Sequence, residues 1–339
     1  MDRGGKAGLR LSYGGLLAAL ALVIACLFAA GLCVGPVAIP PGRAFAALFG
    51  ADAGPYSVIL RDIRLPRAIL GAVVGASLGL SGAALQGLLR NPLAEPALIG
   101  TSSSAALGAV IALYYGFAAM FPLALPLFAI AGAVISILLL FGLAGRTPGV
   151  LTIILAGVAL SSLAGALISI AINLSPDPHS ALEIVFWLMG SLSNVSMRHA
   201  ALALPFSLAG WAMLLSCGRA LDALTLGEDT AASLGVSLTR LRYSLIVGTA
   251  LAVGAGVAVA GSIGFIGLIV PHILRPLVGH RPGRLLAASA LGGAALLLAA
   301  DIGVRLISTD PEFKLGVLTA VIGAPFFLVL VLNTRRHAP

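Results

Sequence analysis

Gly79-Leu80-Ser81-Gly82 has the G-x-S-G form with which an intramembrane serine protease presents its nucleophile, and His272 is an imidazole that could take the serine proton. The competing reading is packing, since a serine in a glycine-rich membrane helix lets a neighbouring backbone approach. His272 stands beside Pro271 in an apolar segment with no second ligand four residues on, so it reads as a structural histidine rather than a metal ligand. Asp301 and Arg305 are four apart in "ADIGVR", which puts them on one helix face where they can pair. Ionisable groups inside a span mark function by default, although Arg305 near a span end can also snorkel outward. Arg61, Arg64 and Arg67 cluster in "RDIRLPR".

The most polar stretch is "LDALTLGEDTAASLGVSLTR", Leu221 to Arg240. Thr225, Leu226, Gly227 and Glu228 fit the S/T-x-x-E capping box. Glu228 and Asp229 fall in the first turn, where the helix dipole favours negative charge. Ala231, Ala232 and Leu234 form an apolar side, and Gly235 suits a left-handed stop. Such a short capped helix is either a solvated connector or a docking element for a partner. Elsewhere, Pro66 can start a helix, while Arg90 to Pro96 breaks one twice. The broken segment Asn91 to Glu95 is either a tight loop or the mouth of a pathway, because irregular backbone at membrane depth must be buried or line a cavity. The two lysines, Lys6 and Lys314, complete no G-x-x-x-x-G-K-[ST], so an ATP-driven function would need a separate ATPase.

The elements that position these residues follow from composition. The 339 residues are 60% hydrophobic and 9% charged, with mean hydropathy +1.10; a soluble domain carries roughly 25% charged residues. The chain therefore reads as an all-helical membrane domain over 1–339. Its 42 glycines permit close helix packing. The formal charge of +8 is that of basic loops held on one side of a bilayer, and no basic run interleaved with aromatics points to nucleic acid. Cys26, Cys33 and Cys217 lie in apolar runs and read as small hydrophobes. "VIAC" (Val23 to Cys26) resembles a lipoprotein site, but its apolar run is too long for a signal segment of about 7–15 residues.

Apolar runs of about 20 residues lie near 12–35, 66–89, 97–117, 120–143, 149–172, 199–217, 240–262, 263–279, 284–307 and 315–333. The eighth is short and interrupted by Pro271 and Pro276. Glu183 to Ser193 is apolar but too short to span, and reads as a re-entrant or interfacial helix. With the N-terminus inside, thirteen basic residues face in and seven out, which places both termini and the 221–238 segment in the cytoplasm. Arg64 and Arg67 lie on the minority side. "SGAALQGLLRNPLAEPALIG" (Ser81 to Gly100) and "AGSIGFIGLIVPHILRPLVG" (Ala260 to Gly279) also read as a weak internal repeat of broken helices.

Together, "RLPR", "GLSGAALQGLLRNPLAEPALIG", "LTIILAGVAL", "LTLGEDTAASLGV", "GSIGFIGLIVPHILR", "LLAADIGVR" and "LGVLTAVIGAPFF" run in order from Arg64 to Phe327. In this the chain resembles the FecCD-type permeases, membrane subunits of type II ABC importers for iron chelates and cobalamin. Phe313 and Lys314 stand where that family has Leu-Pro. The resemblance implies about ten transmembrane helices and a homodimer in the bacterial inner membrane. It also implies two cytoplasmic ATP-binding subunits that carry ATP and Mg, and a periplasmic substrate-binding protein. No cofactor is expected in the chain itself. The implied cargo is a ferric chelate, siderophore or haem, with cobalamin as the alternative. Arg64, Arg67 and Arg305 would receive the binding protein, and Leu226, Gly227, Glu228, Asp229, Ala231, Leu234 and Gly235 would couple to the ATPase. Asn91, Leu93, Val150 and Leu151 would lie at the cytoplasmic gate, and Ser161, Ser162, Ser169 and Asn173 along the pathway.

Overall fold

A chain surrounded by hydrocarbon must satisfy its backbone N–H and C=O groups within each segment, so the apolar runs become helices. The computed structural model describes residues 12–48, 54–121, 123–145, 149–307 and 312–336, and among these there is no strand. Arg3, Lys6, Arg10 and Arg146, which enter the orientation count, lie outside the described residues.

Helix α1 (Tyr13–Cys33) is capped by Ser12, whose hydroxyl accepts from the Gly15 N–H at 3.1 Å. Two short helices, α2 (Pro41–Leu48) and α3 (Pro55–Val58), lead through a π-helical turn (Ile59–Arg64) into α4 (Leu65–Leu89). A 3-10 turn (Pro96–Ile99) precedes α5 (Thr101–Tyr114), which is followed by α6 (Phe117–Met120), α7 (Ala124–Ala144) and α8 (Val150–Asn173). Then come α9 (Pro178–Leu188), α10 (Met197–Ser216), α11 (Gly218–Leu224), α12 (Glu228–Ser233) and α13 (Leu238–Ala260). Helix α14 (Ile266–Leu274), a 3-10 turn (Pro276–Val278), α15 (Pro282–Ile307) and α16 (Leu315–Arg336) complete the chain.

Seven helical stretches among the described residues are long and apolar enough to cross a membrane: α1, the run through α4, α7, α8, α10, α13 and α15. Two of the remaining three apolar runs are shorter as helices. The 97–117 run gives only α5, because Gly100 (φ 77°) and Gly116 (φ 72°) adopt left-handed backbone on either side. The 263–279 run gives the nine-residue α14, because Gly261 (φ 70°) and Phe265 (φ 68°) hold the preceding segment out of helix. The expected break at Pro271 is corrected: this proline lies inside α14, and the helix gives way only at Pro276. Glu183 to Ser193 forms most of α9 and the turn at Gly190 (φ 71°), too short to span.

Helix α4 is the hub. It packs on α15, α13, α14 and α10, and 89% of its apolar window is buried. Contact with α15 is backbone to backbone: a Cβ added at Gly75 would lie 2.3 Å from the Gly293 carbonyl oxygen. Helix α8 is its opposite, with 28% of its window buried. Large apolar side chains such as Leu22 (65% exposed) and Leu138 (67%) cover the outside, as a lipid- or subunit-facing surface requires.

Candidate functional site

The spans alternate in direction, so the bundle has two ends. At one, the C-terminus of α1 meets the start of α4 and the end of α15. The last carbonyls of a helix have no partner inside it, and here arginines supply one. Arg305 donates from NH1 to the Gly31 carbonyl at 2.7 Å and the Val34 carbonyl at 3.2 Å. Arg64 donates to the Leu32 and Cys33 carbonyls, both at 2.8 Å, and to the Val37 carbonyl. Asp301, fully buried, accepts from Arg67 Nε at 2.8 Å and from Arg305 Nε at 3.0 Å. Glu312 closes the network on Arg67 at 2.5 Å.

The pairing of Asp301 with Arg305 agrees with their spacing. Outward projection of Arg64, Arg67 and Arg305 does not: they are 4%, 6% and 8% exposed. In this chain their side chains are engaged with α1 and Asp301. The arginine forks neutralise a buried carboxylate and cap α1. Nothing in "RLPR" alone shows this, because the partners lie on α1 and α15.

At the same end, α9 is capped by Asp177, whose carboxylate accepts from the Ser180 N–H at 2.9 Å and hydroxyl at 2.8 Å. These donors, the N–H first, hold the Asp177 carboxyl below the usual range. The Gly190 carbonyl accepts from the Gly316 N–H at 3.3 Å, tying the turn after α9 to the start of α16. Between α9, the ends of α5 and α13 and the start of α7 lies a cavity of about 490 Å3. His179, Glu183, Trp187, Ser193, His199 and Lys314 are among the residues lining it. Lys314 lies 5.5 Å from the centroid of the Phe186 ring.

At the opposite end, the 221–238 segment folds as α11, a turn, and α12. Its three acids have three different roles. The Asp222 carboxylate accepts from the Gly283 N–H at 2.8 Å, so it caps α15 rather than its own segment. Glu228 pairs with Arg242 at 2.8 Å across to α13. Asp229 is exposed in the first turn of α12. The Thr225–Glu228 capping box is not formed: Thr225 donates its hydroxyl back to the Asp222 carbonyl at 2.7 Å, and Gly227 is the cap. Gly227 (φ 105°) turns the chain too sharply for Thr225 to reach the new helix. The stop agrees with the sequence: Gly235 has φ 86°, its N–H bonds the Ala232 carbonyl at 2.9 Å, and the Val236 N–H bonds the Ala231 carbonyl at 3.0 Å. Ala231 is fully buried, while Leu226 and Leu234 on the flanking turns are each 63% exposed.

Of the expected gate residues, Asn91 is exposed and its side-chain oxygen accepts from the Leu93 N–H at 2.9 Å, forming a tight turn. Val150 and Leu151 open α8, with Leu151 69% exposed. The segment after this loop meets α8 further along the helix, where Ser161 donates to the Ala97 carbonyl at 3.3 Å. Ser161 therefore faces its own chain, unlike the other three expected pathway residues. Ser162, Ser169 and Asn173 are exposed and fall at spacings of seven and four, so they share one stripe of α8 with Leu151, Leu155 and Val158. The stripe is apolar where α8 starts and polar where it ends.

The protease reading lacks its geometry. Ser81 Oγ and His272 Nδ1 are buried, and neither has a hydrogen-bond partner, so the two are not paired. Among the described residues no group of three His, Cys, Asp or Glu side chains could hold a metal. Sequence reasoning missed Asp222, Gln86 and Glu312, whose partners lie on other helices. For Asp222 and Gln86 the one visible signal was a polar residue amid apolar neighbours; Glu312, in a polar stretch, gave none.

Comparison with known proteins agrees with this architecture. The profile of the FecCD transport family matches residues 21–333. The chain is 40% identical to the uncharacterized ABC transporter permease protein YvrB of Bacillus subtilis, covering 87% of this chain and 84% of that one. It is 42% identical to the cobalamin import system permease protein BtuC of Halobacterium salinarum, over 83% and 75% of the two chains. Against the vitamin B12 import system permease protein BtuC of Citrobacter koseri it is 40% identical over 94% of each. A solved structure named for an inward-facing conformation of a metal-chelate type ABC transporter superposes with TM-score 0.83 at 34% identity, covering 94% of this chain and 98% of that one. PsaBC from Streptococcus pneumoniae shares the fold at TM-score 0.53 and 19% identity, over 78% and 89%. The chain belongs to the FecCD transport family of ABC importer permeases.

Proposed function

We propose that this permease carries a corrinoid of the cobalamin class, driven by ATP hydrolysed on a separate subunit. The expectation of a ferric chelate gives way to its alternative because relatives matched over most of the chain are named for cobalamin or vitamin B12. A ferric siderophore or haem is the second reading, supported by the likeness to a metal-chelate type transporter.

In this account two copies of the chain enclose the pathway, with the open stripe of α8 facing it. A periplasmic binding protein delivers cargo at the end that carries α9. Two ATPase subunits holding ATP and Mg seat on α12 at the other, cytoplasmic end of an inner-membrane bundle whose termini are cytoplasmic. Binding and hydrolysis then shift the permease between its two openings because the partners bind those states with different strength.

The observation that carries the reading is the construction of α12. A six-residue helix is far too short to hold itself together in water. This one is stopped by Gly235, tied to α13 through Glu228 and Arg242, and seated by Ala231, while it leaves two leucines uncovered. A mere connector has no need of that rigidity or of exposed leucines outside the bilayer. The test is uptake into proteoliposomes holding the permease with its ATPase and binding protein. Cyanocobalamin is expected to accumulate with ATP, and Ala231→Pro, which removes the N–H bonded to the Gly227 carbonyl, is expected to reduce uptake to background. Accumulation of a ferric siderophore or haem but not cyanocobalamin would overturn the cargo, and normal uptake by Ala231→Pro would make α12 a connector.

A further inference from the structure

The weak internal repeat in the sequence has a physical counterpart. Its two copies, Ser81 to Gly100 and Ala260 to Gly279, are folded against each other where α4 crosses α14. Their backbones touch: a Cβ added at Gly82 would lie 1.9 Å from the Gly267 carbonyl oxygen. That carbonyl is also a special one. Pro271, four residues on, has no N–H to give it, so the proline inside α14 orphans an acceptor at membrane depth.

Gln86 of α4 fills the gap. Its side chain, 1% exposed, donates from Nε2 to the Gly267 carbonyl at 3.3 Å and to the Ala94 carbonyl at 3.4 Å. Its Oε1 accepts from Arg275 NH2 at 2.5 Å, which orients the amide so that the nitrogen faces both carbonyls. One residue beyond Ala94, Glu95 Oε1 accepts from the Phe265 N–H at 2.7 Å. Phe265 is the cap of α14 and holds a left-handed φ of 68° without being glycine. Such a conformation persists only where its surroundings impose it, and the Glu95 bond is one of the constraints that do so.

We propose that Gln86, Glu95 and Arg275 are positioning residues for transport: they lock the loop at Asn91 to Glu95 onto both ends of α14, so that the two interruptions of the bundle move as one body. The loop holds the expected gate residues Asn91 and Leu93, so the lock sets when that gate can open. None of the three touches cargo; they act through the loop. What they need is hydrogen-bonding capacity, an acceptor at position 95 and a donor–acceptor pair at position 86. Charge at position 95 is not required, so glutamine there keeps the lock and leucine breaks it.

The link to gating rests on the importer reading, but the lock itself is testable without it. Leu93→Cys, placed in a chain whose three cysteines are replaced by alanine, is reacted with a water-soluble maleimide in the purified, detergent-solubilised permease. Glu95→Leu and Gln86→Leu are each expected to raise the labelling rate about tenfold, the scale for losing a buried hydrogen bond to a charged group or leaving its partner unsatisfied. Glu95→Gln is expected to label within about twofold of the parent, since an amide oxygen still accepts the Phe265 N–H. Combining Glu95→Leu with Gln86→Leu is expected to give less than the product of the single effects, because either change frees the same loop. Parental labelling rates in both leucine variants would overturn the lock, as would fast labelling by Glu95→Gln or fully multiplicative effects. Cyanocobalamin uptake per ATP hydrolysed, measured on the same variants with native cysteines and Leu93 restored, should fall in the leucine variants and hold in Glu95→Gln. Loosened labelling with unchanged uptake per ATP would overturn the gating role and leave the importer reading intact. Failure of the parent to take up cyanocobalamin would instead count against the cargo, with the labelling result still standing.

Discussion

The two ends of the bundle treat charge in opposite ways. Where α1, α4 and α15 meet, two acids and three arginines are folded inward, and Asp301 is wholly buried. At the other end, Glu228 is 39% exposed in its pair with Arg242, and Leu226 and Leu234 stand uncovered beside the exposed Asp229. The basic residues expected to receive a binding protein are held in a buried network, while the acidic stretch expected to couple to an ATPase leaves Leu226 and Leu234 exposed. Residue type therefore does not tell which end meets which partner; the state of each side chain does.

Three perturbations separate the ends. The largest effect is expected at Asp301→Ala, which strands Arg67 and Arg305 in a buried network; removing one partner of such a set costs about 3–5 kcal/mol. The expected result is a marked loss of thermal stability in detergent, read as loss of monodisperse protein on heating. Reversing Arg64 and Arg67 to glutamate should likewise destabilise the fold before any effect on binding-protein docking can be read. A stable double variant with weakened docking would restore the outward role for these arginines. Next in size, Leu226→Ala and Leu234→Ala should each weaken ATPase association by about tenfold, as expected for anchors at the centre of an interface, while leaving thermal stability unchanged. Co-purification of ATPase with permease in titrated salt would measure this. Smallest of all, Glu228→Gln should cost no more than about 1 kcal/mol, because its ion pair is partly open to solvent. A loss as large as that at Asp301 would mean the pair is buried in the working assembly.

Much of the architecture is legible in the chain. Hydropathy located α1, α4, α7, α8, α10, α13 and α15 to within a few residues, since a bilayer leaves long apolar segments little choice but helix. The Gly235 stop was legible because left-handed backbone favours one residue type. What escaped depends on faces and on distant partners. Hydropathy could not tell that α4 is enclosed while α8 is open, as both are apolar enough to span. It also could not show that Ser161 turns inward while Ser162 turns out. The 263–279 run is mostly apolar, yet its helix is only the nine-residue α14, because Gly261 and Phe265 adopt positive φ. The Thr225 capping box failed because Gly227 intervenes, and the role of Asp222 was missed because its partner N–H is at Gly283.

The central claim, that α12 and its flanking leucines are where the ATPase seats, is tested most directly by site-specific crosslinking. Cysteines placed singly at Leu226 and Leu234, and at Leu182 on α9 as the opposite-end control, would each carry a short photo-crosslinker in the assembled complex with its ATPase. The account predicts ATPase adducts from positions 226 and 234 and none from 182. Absence of adducts at both α12 positions, with adducts formed from any other surface of the permease, would contradict it.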